Sequence, residues 1–397
     1  MISDTHSIAE SVDLYREWRV RSFPSSIRPT SPLYDSLWGE AESFARTIFK
    51  RHNNAGAADA LFEKEVEYLR LLLEKVPDPT REPFTFWTLI EHKIAVEIAA
   101  KTLGYDMPVV LLDTISDLSI NAFALRMVDS GHQAIVLDPY LHHFLCLTVD
   151  VVLEAWQHLP RHLLNFDPIP DSLAVQLAVD RNPKVHEQFC RILLELLLRH
   201  NLEASAAHAT ARLGPNVHRI ILQQAAQIFL LGHEYGHFVG DHFAGKQTPD
   251  YGINIFELAN GKRVEQFEDE KRRWNDECHA DEMGASLLFE TARTRKWDVD
   301  VAFAGLEIFL SCREHLEHAK HILSIGSTDI PPSPTHPPAY TRCEVLRQHV
   351  KRTMAQEVAD MANRVGMLVE CLVKVLFEKA LPYLVAEHIR REQRPKN

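Results

Sequence analysis

Two short segments, HEYGH at residues 233–237 and ECHAD at residues 277–281, decide how this chain can fold. Side chains four residues apart lie one above the other on an α-helix, so His233 and His237 point to the same place. Glu234 flanks them on the same helix. Two imidazoles beside a carboxylate at this spacing are typical of a metal ligand pair with a general base.

The residues before the first segment predict a buried helix. Positions 221–231 are apolar around nearly the whole circumference of a helix, as expected at the centre of a protein. We expect Gly214 and Pro215 to begin this helix and Gly240 to end it. Buried imidazoles and carboxylates without partners are costly, and a divalent ion compensates for that cost.

The second segment supplies the remaining groups of a metal site. Glu277 and Asp281 are also four residues apart, and the small residues Ala280 and Gly284 allow their helix to approach the first one closely. Glu277 is the predicted third ligand of a Zn²⁺ ion, which leaves the fourth position for water. Asp281 is expected to accept the outer N–H of a ligating histidine and so fix its tautomer.

Two other interpretations of these segments are a coincidental cluster and a different class of zinc peptidase. Histidine is abundant, with 22 among 397 residues, so HExxH alone can be a coincidental buried cluster of histidine and glutamate; the second segment argues against that. A metzincin would need its third histidine at position 243, which is Phe243. Cys278 is best interpreted as a buried structural thiol.

Composition restricts the class of protein. The chain is 46% hydrophobic and 25% charged, as in ordinary soluble globular proteins. Its net charge of −12 argues against nucleic acid as a partner. No stretch reaches the roughly 18 apolar residues of a membrane span, and the first residues show no signal peptide. The six scattered cysteines suit reduced thiols, so a cytoplasmic location is expected.

Periodicity predicts an α+β protein that is predominantly α-helical. Strand patterns, rich in β-branched and aromatic residues, are limited to a small sheet at Val109–Leu112, Phe123–Val128 and Gln133–Leu137. Helical patterns run through Asp35–Arg51, Ala58–Lys75, Trp87–Leu103, Val299–Leu323 and Ala355–Arg391.

Four motifs in this order resemble the gluzincin metallopeptidases of the HtpX and type-I CAAX prenyl protease family. Besides HExxH and ExxAD, residues 333–342 (SPTHPPAYTR) are similar to that family's THPP…R segment. Residues 120–124 (INAFA) and 133–137 (QAIVL) are similar to its edge strand and the strand that follows, and His242 stands where the family often has an extra histidine. The resemblance covers about residues 106–345.

The resemblance implies a zincin-like catalytic core and roles for further residues. Asn121 and Ala122 on the edge strand are expected to bind an extended peptide substrate, together with Arg342. His336 is the first candidate for a donor to the developing oxyanion, and Tyr235 and Tyr340 are the next candidates. We therefore expect a catalytic domain at 106–345 between N-terminal (1–105) and C-terminal (346–397) helical regions.

The site residues predict a zinc-dependent endopeptidase in which Glu234 is the general base. Its partner would be a protein or peptide substrate. The family's transmembrane helices are missing, and a helical insertion at about 141–214 precedes the HExxH helix. That insertion is expected to act as a lid or as a receptor for an activating partner or ligand, or else to enlarge the core passively. A non-proteolytic zinc-containing sensor that uses the same fold for binding stays open as the alternative.

Overall fold

The computed structural model describes residues 4–22, 32–52, 57–78, 81–116, 120–127, 132–159, 172–199, 216–244, 268–330, 333 and 336–393. Within these ranges the protein is predominantly helical with one small mixed sheet, which confirms the α+β, mostly α-helical class. The helices are α1 (Asp4–Ser22), α2 (Pro32–His52), α3 (Ala57–Lys75), α4 (Pro83–Leu103), α5 (Pro139–Gln157), α6 (Ser172–Asp180), α7 (Pro183–Leu194), α8 (Val217–Val239), α9 (Glu268–Arg295), α10 (Val299–Ile325), α11 (Ala339–Thr353) and α12 (Gln356–Glu392).

The sheet has three strands, β1 (Val110–Thr114), β2 (Ala122–Arg126) and β3 (Gln133–Leu137), in the order β1-β3-β2. The central strand β3 pairs with β1 in parallel and with β2 in antiparallel register. The strands lie within two residues of the predicted bounds, apart from the predicted end of the second strand at Val128, which is outside the described residues. β2 is therefore an edge strand of this sheet.

Capping residues determine where α4 and α8 begin, and hydrophobic periodicity alone did not locate these first residues accurately. α4 begins at Pro83, four residues before the prediction, because the Glu82 carboxylate accepts the backbone N–H groups of Phe84 and Thr85. Asn216 caps α8 in the same way through its side chain. Gly240 follows the last residue of α8 as predicted, whereas the predicted start at residues 214–215 lies outside the described residues.

α8 is the central helix of the fold. It packs against α4, α5, α9 and α10, and it also contacts β2 and β3. Its residues from Leu230 to Gly236 are all buried, because neighbours surround it on every side. This position explains the apolar run in its sequence and brings its C-terminal half, with His233, beside the sheet.

The C-terminal helix α12 holds the described part of the 141–214 insertion in place. α6 and α7 both pack on α12, and α7 also packs on α5. Phe189 and Ile192 of α7 are fully buried in this interface. None of the described helices has the length and apolar content required to cross a membrane, and all six cysteines are free thiols.

A fully buried ionic network joins α1 to the sheet. Asp113 of β1 accepts hydrogen bonds from Arg81, Arg19 and Tyr15, and Arg19 also pairs with Asp78. Burial alone would raise the pKa of Asp113, but the charges of Arg81 and Arg19 outweigh it and hold that pKa below its ordinary value. Periodicity had not predicted α1, and this network and the burial of Tyr15 explain why it is nevertheless attached to the core.

Candidate metal centre

The two helices that carry the sequence motifs, α8 and α9, touch through small residues. A Cβ added at Gly236 would lie 2.7 Å from the Cα of Ala280, and one at Gly284 would lie 2.8 Å from the backbone nitrogen of His233. Real Cβ atoms do not approach so closely, so larger side chains here would force the helices apart. This contact brings Glu277 within reach of the two histidines.

Three side chains converge on one point between the helices. The Nε2 atoms of His233 and His237 are 3.2 Å apart, and the two carboxylate oxygens of Glu277 lie 3.5 Å from these nitrogens. Ligand atoms bound at about 2.0–2.1 Å to a tetrahedral ion lie about 3.3–3.4 Å from one another. The three residues can therefore hold one metal ion.

The environment of the Glu277 carboxylate supports the same conclusion. Its Oε2 atom is buried and has no hydrogen-bond partner among the described residues. Burial raises the pKa of Glu277 to about 7, although His233 and Arg342 act in the opposite direction. A buried carboxylate oxygen without a hydrogen bond is costly, and a cation at the convergence point would offset that cost.

Asp281 orients His233 through a hydrogen bond with Nδ1, on the side of the ring away from the convergence point. Its Oδ1 atom accepts a hydrogen bond of 2.8 Å from His233 Nδ1, which leaves Nε2 of the ring directed at the convergence point. Arg342 donates two hydrogen bonds of 2.7 Å to the same carboxylate. Burial alone would raise the pKa of Asp281, but Arg342 and His233 lower it well below its ordinary value. Asp281 is therefore a permanently charged acceptor for His233.

Glu234 lies between the metal site and the edge strand. The backbone N–H of Ala124 donates a hydrogen bond to its carboxylate, yet burial raises the pKa of Glu234 above its ordinary value. Asp138 N–H donates to Asn121 C=O, so by the alternation of an antiparallel pair the even-numbered residues of β2 direct their N–H and C=O groups away from β3. This outward edge of β2, with which no other described strand pairs, thus faces the carboxylate of Glu234.

A cavity of about 840 Å³ opens beside these residues. Its described lining combines His233 and Glu234 with the start of β2, the middle of α10 and the segment around His336. The ring of His336 is 45% exposed, and its Nε2 atom is 3.6 Å from Glu277 Oε2. Tyr340 also lines the cavity. Tyr235 is directed away, since its hydroxyl is bonded to Glu97 of α4, so it is not available as an oxyanion donor.

The remaining predicted residues, which were expected to bind substrate, also line the cavity, and two of them form contacts with other side chains. Asn121 and Ala122 line it at the start of β2, and Arg342 lines it with only 7% of the residue exposed. The Oδ1 atom of Asn121 accepts a hydrogen bond of 2.9 Å from Arg313 of α10. Arg342 therefore faces the cavity and also contacts Asp281.

Two residues of α10 belong to the site and were missed in the sequence. Arg313 donates a hydrogen bond to Asn121 and lines the cavity, and Glu314 accepts the backbone N–H of Ala339 at 2.9 Å, which ties down the chain after His336. One signal was available, because the mostly apolar run at 301–312 is followed directly by a charged cluster.

Comparisons with known protein families, with curated proteins and with solved structures found no match to this chain.

Proposed function

We propose that this chain is a zinc-dependent endopeptidase that hydrolyses peptide bonds of a protein or peptide substrate. The observation that carries the proposal is the convergence of His233, His237 and Glu277 on one point, with the carboxylate of Glu234 and a free strand edge next to it. Two histidines and one carboxylate, with a fourth position left open, are the ligand set of catalytic zinc sites. The motif order that resembles the gluzincins supports the same chemistry and a zincin-like core.

The free edge of β2 is suited to binding the substrate. An extended peptide can add to this edge by backbone hydrogen bonds, with its scissile bond next to Glu234. The Arg313 contact occupies Oδ1 of Asn121, so the amide nitrogen of Asn121 remains a donor for a peptide carbonyl. Glu314 and the segment it ties down form the opposite wall of the cavity.

In the proposed hydrolysis, Glu234 transfers a proton from the attacking water to the leaving nitrogen. His233, His237 and Glu277 would hold a Zn²⁺ ion, which would lower the pKa of a water and polarise the substrate carbonyl. Glu234 accepts a proton as the water oxygen bonds to the carbonyl carbon, and it returns that proton to the leaving nitrogen as the C–N bond breaks. Burial raises the pKa of Glu234 above its ordinary value, which suits a group that must both accept and donate a proton. His336 is placed on the cavity wall to donate to the developing oxyanion.

The test is the variant Glu234→Gln, measured for zinc content and for cleavage of model peptides. Zinc binding should persist, because Glu234 is not among the three converging groups. The kcat/KM should fall by about 10²–10⁴-fold, because only the proton shuttle is lost. Glu74→Gln, which changes an exposed carboxylate on α3, is the matched control. Chelation should abolish cleavage by the wild type, and added zinc should restore it.

The same experiment separates the enzyme from the alternative function. A zinc-containing sensor would bind the ion in both forms and cleave no peptide in either. Cleavage that persists in Glu234→Gln with unchanged zinc content would remove Glu234 from the mechanism.

A further inference from the structure

Behind the metal site, three imidazole rings form a continuous row that starts at the predicted ligand His237. Its Nδ1 atom lies 2.9 Å from Nδ1 of His242. The other nitrogen of His242, Nε2, lies 3.0 Å from Nδ1 of His279. The row joins α8, the short turn at His242–Ala244 and α9, so it crosses between elements that are distant in the sequence.

The backbone after α8 is shaped to make this row. Asp241 has a φ of 52°, a left-handed conformation that turns the chain back and brings His242 beneath His237. The side chain of Asp241 is held by Arg126 of β2 at 2.8 Å. A Cβ at Gly240 would overlap the His242 ring and lie 2.9 Å from His279 Nδ1. Gly240 therefore leaves the space in which the two rings meet.

Hydrogen bonding within the row has only one direction when His237 binds a metal. Each contact needs one donor and one acceptor, and a neutral imidazole has one of each. With Nε2 of His237 on the metal, its proton is on Nδ1, so Nδ1 of His242 must accept. The proton of His242 is then on Nε2 and is donated to His279, whose Nδ1 accepts.

We propose that His242 and His279 are positioning residues of the metal centre, which hold His237 in the tautomer and ring orientation that present Nε2 to the ion. The inference rests on the proposed zinc site. The two proposed histidine ligands then have different hydrogen-bond partners. His233 is oriented by the carboxylate of Asp281, and His237 is oriented by a row of two neutral imidazoles.

The experiment measures the zinc affinity of the full-length chain by competition with a chromophoric chelator. His242→Ala should weaken zinc binding by about 10–100-fold, the usual effect of removing a partner of a metal ligand. His242→Asn places its side-chain oxygen where Nδ1 of the ring was, and it should restore most of the affinity. His242→Gln places its polar group at the position of Nε2, and it should not. His218→Ala, an exposed histidine near the start of α8, should bind zinc as the wild type does.

A second measurement uses the unaltered protein. In the zinc-loaded wild type labelled with ¹⁵N-histidine, Nδ1 of His242 should show the chemical shift of an unprotonated nitrogen and Nε2 that of a protonated one. The His242 variants assign the signals by their absence. His279→Ala should weaken zinc binding less than His242→Ala, because it acts through His242.

The possible outcomes separate the positioning role of His242 and His279 from the proposed zinc-peptidase function. Unchanged affinity in a folded His242→Ala variant, equal rescue by Asn and Gln, or a protonated Nδ1 on His242 would overturn the positioning role while the zinc site stands. A wild-type chain that binds no zinc would overturn the proposed function itself. Zinc affinity that follows these expectations without any peptide cleavage would leave the positioning role intact and refute the peptidase.

Discussion

Asp281 is bonded to a predicted metal ligand on one side and to a guanidinium on the other, so its removal tests the support of His233. We predict that Asp281→Ala weakens zinc affinity by about 10–100-fold without abolishing binding. The reason is that His233 loses the acceptor at 2.8 Å that orients its ring, while all three converging groups stay. Zinc titration with a competing chelator measures the effect.

The neighbouring carboxylate supplies the control. Glu282 is on the same helix and pairs with Arg352, away from the converging groups, so Glu282→Ala should leave zinc affinity unchanged. Equal affinities for Asp281→Ala and the wild type would show that the hydrogen bond to His233 has no role in metal binding.

The sequence predicted the contacts that lie within one helical turn. Helix geometry alone relates His233 to His237 and Glu277 to Asp281, because each pair is four residues apart. The meeting of Glu277 with the two histidines joins different helices, and it was inferred from the order of the two segments and the small residues of the second one. Arg313 was not predicted, since its partner Asn121 is 192 residues away in the chain and only the fold brings them together. The row from His237 through His242 to His279 was missed because its two contacts depend on the left-handed turn at Asp241 and on the packing of α8 against α9.

The close contact of α8 and α9 leads to a prediction about one glycine. Gly284→Ala should lower the free energy of unfolding by about 1–3 kcal/mol, because the added methyl group would overlap backbone atoms of α8 rather than a flexible side chain. It should also weaken zinc binding, because Glu277 moves with α9. Chemical denaturation and zinc titration measure the two effects.

Gly39 is the matched control, since a Cβ at this position in α2 meets nothing within 4 Å. Gly39→Ala should stabilise the protein by about 0.5–1 kcal/mol through helix propensity alone and leave zinc binding unchanged. A Gly284→Ala variant that is as stable and binds zinc as tightly as the wild type would show that α8 and α9 can separate at no cost to the site.

Among the elements, long periodic helices and the three strands were predicted, but the way they pair was not. The small residues of α9 correctly indicated a close contact, although their partners Gly232 and Gly236 on α8 became clear only from the structure. β2 lies between β1 and β3 in the sequence, whereas in space β3 is the central strand, parallel to β1 on one side and antiparallel to β2 on the other. Local patterns carry no information about such an arrangement.

The insertion at 141–214 was expected to cover the cleft or to enlarge the core. The described part of this segment includes most of α5, which packs against α8 and α10, as well as α6 and α7, which pack against α12. Among the described residues of the cavity wall, Leu141 alone comes from this segment. These contacts favour the enlarged core for the part of the insertion that the structure describes.

For the molecule as a whole, the buried network around Asp113 predicts how stability depends on charge and pH. Asp113→Asn should lower the free energy of unfolding by about 3–5 kcal/mol at neutral pH, because Arg81 and Arg19 would remain buried without their carboxylate. The folded-state pKa of Asp113 is lowered, so its stabilisation is fully present above the unfolded pKa of about 3.9. It is lost as the pH falls through the folded pKa.

Urea unfolding of both forms from pH 3 upward, in steps of roughly one unit across the range set by these pKa values, tests this. The advantage of the wild type should be constant near neutrality and shrink in acid. Asp13→Asn breaks an exposed pair with Lys75 and should cost less than about 1 kcal/mol at every pH. A wild-type advantage that grows in acid would contradict the lowered pKa.

The spacing of the three converging side chains also limits which changes in chain length this protein can tolerate over evolution. Each residue of an α-helix advances the side chain by about 100° around the axis. A single inserted or deleted residue between His233 and His237, or between Glu277 and Gly284, would turn a ligand or a small contact residue away from its partner. Insertions in the connecting loops carry no such penalty and cost little in free energy. Descendants of this sequence should therefore differ in loop length while keeping the residue count of these two helical turns.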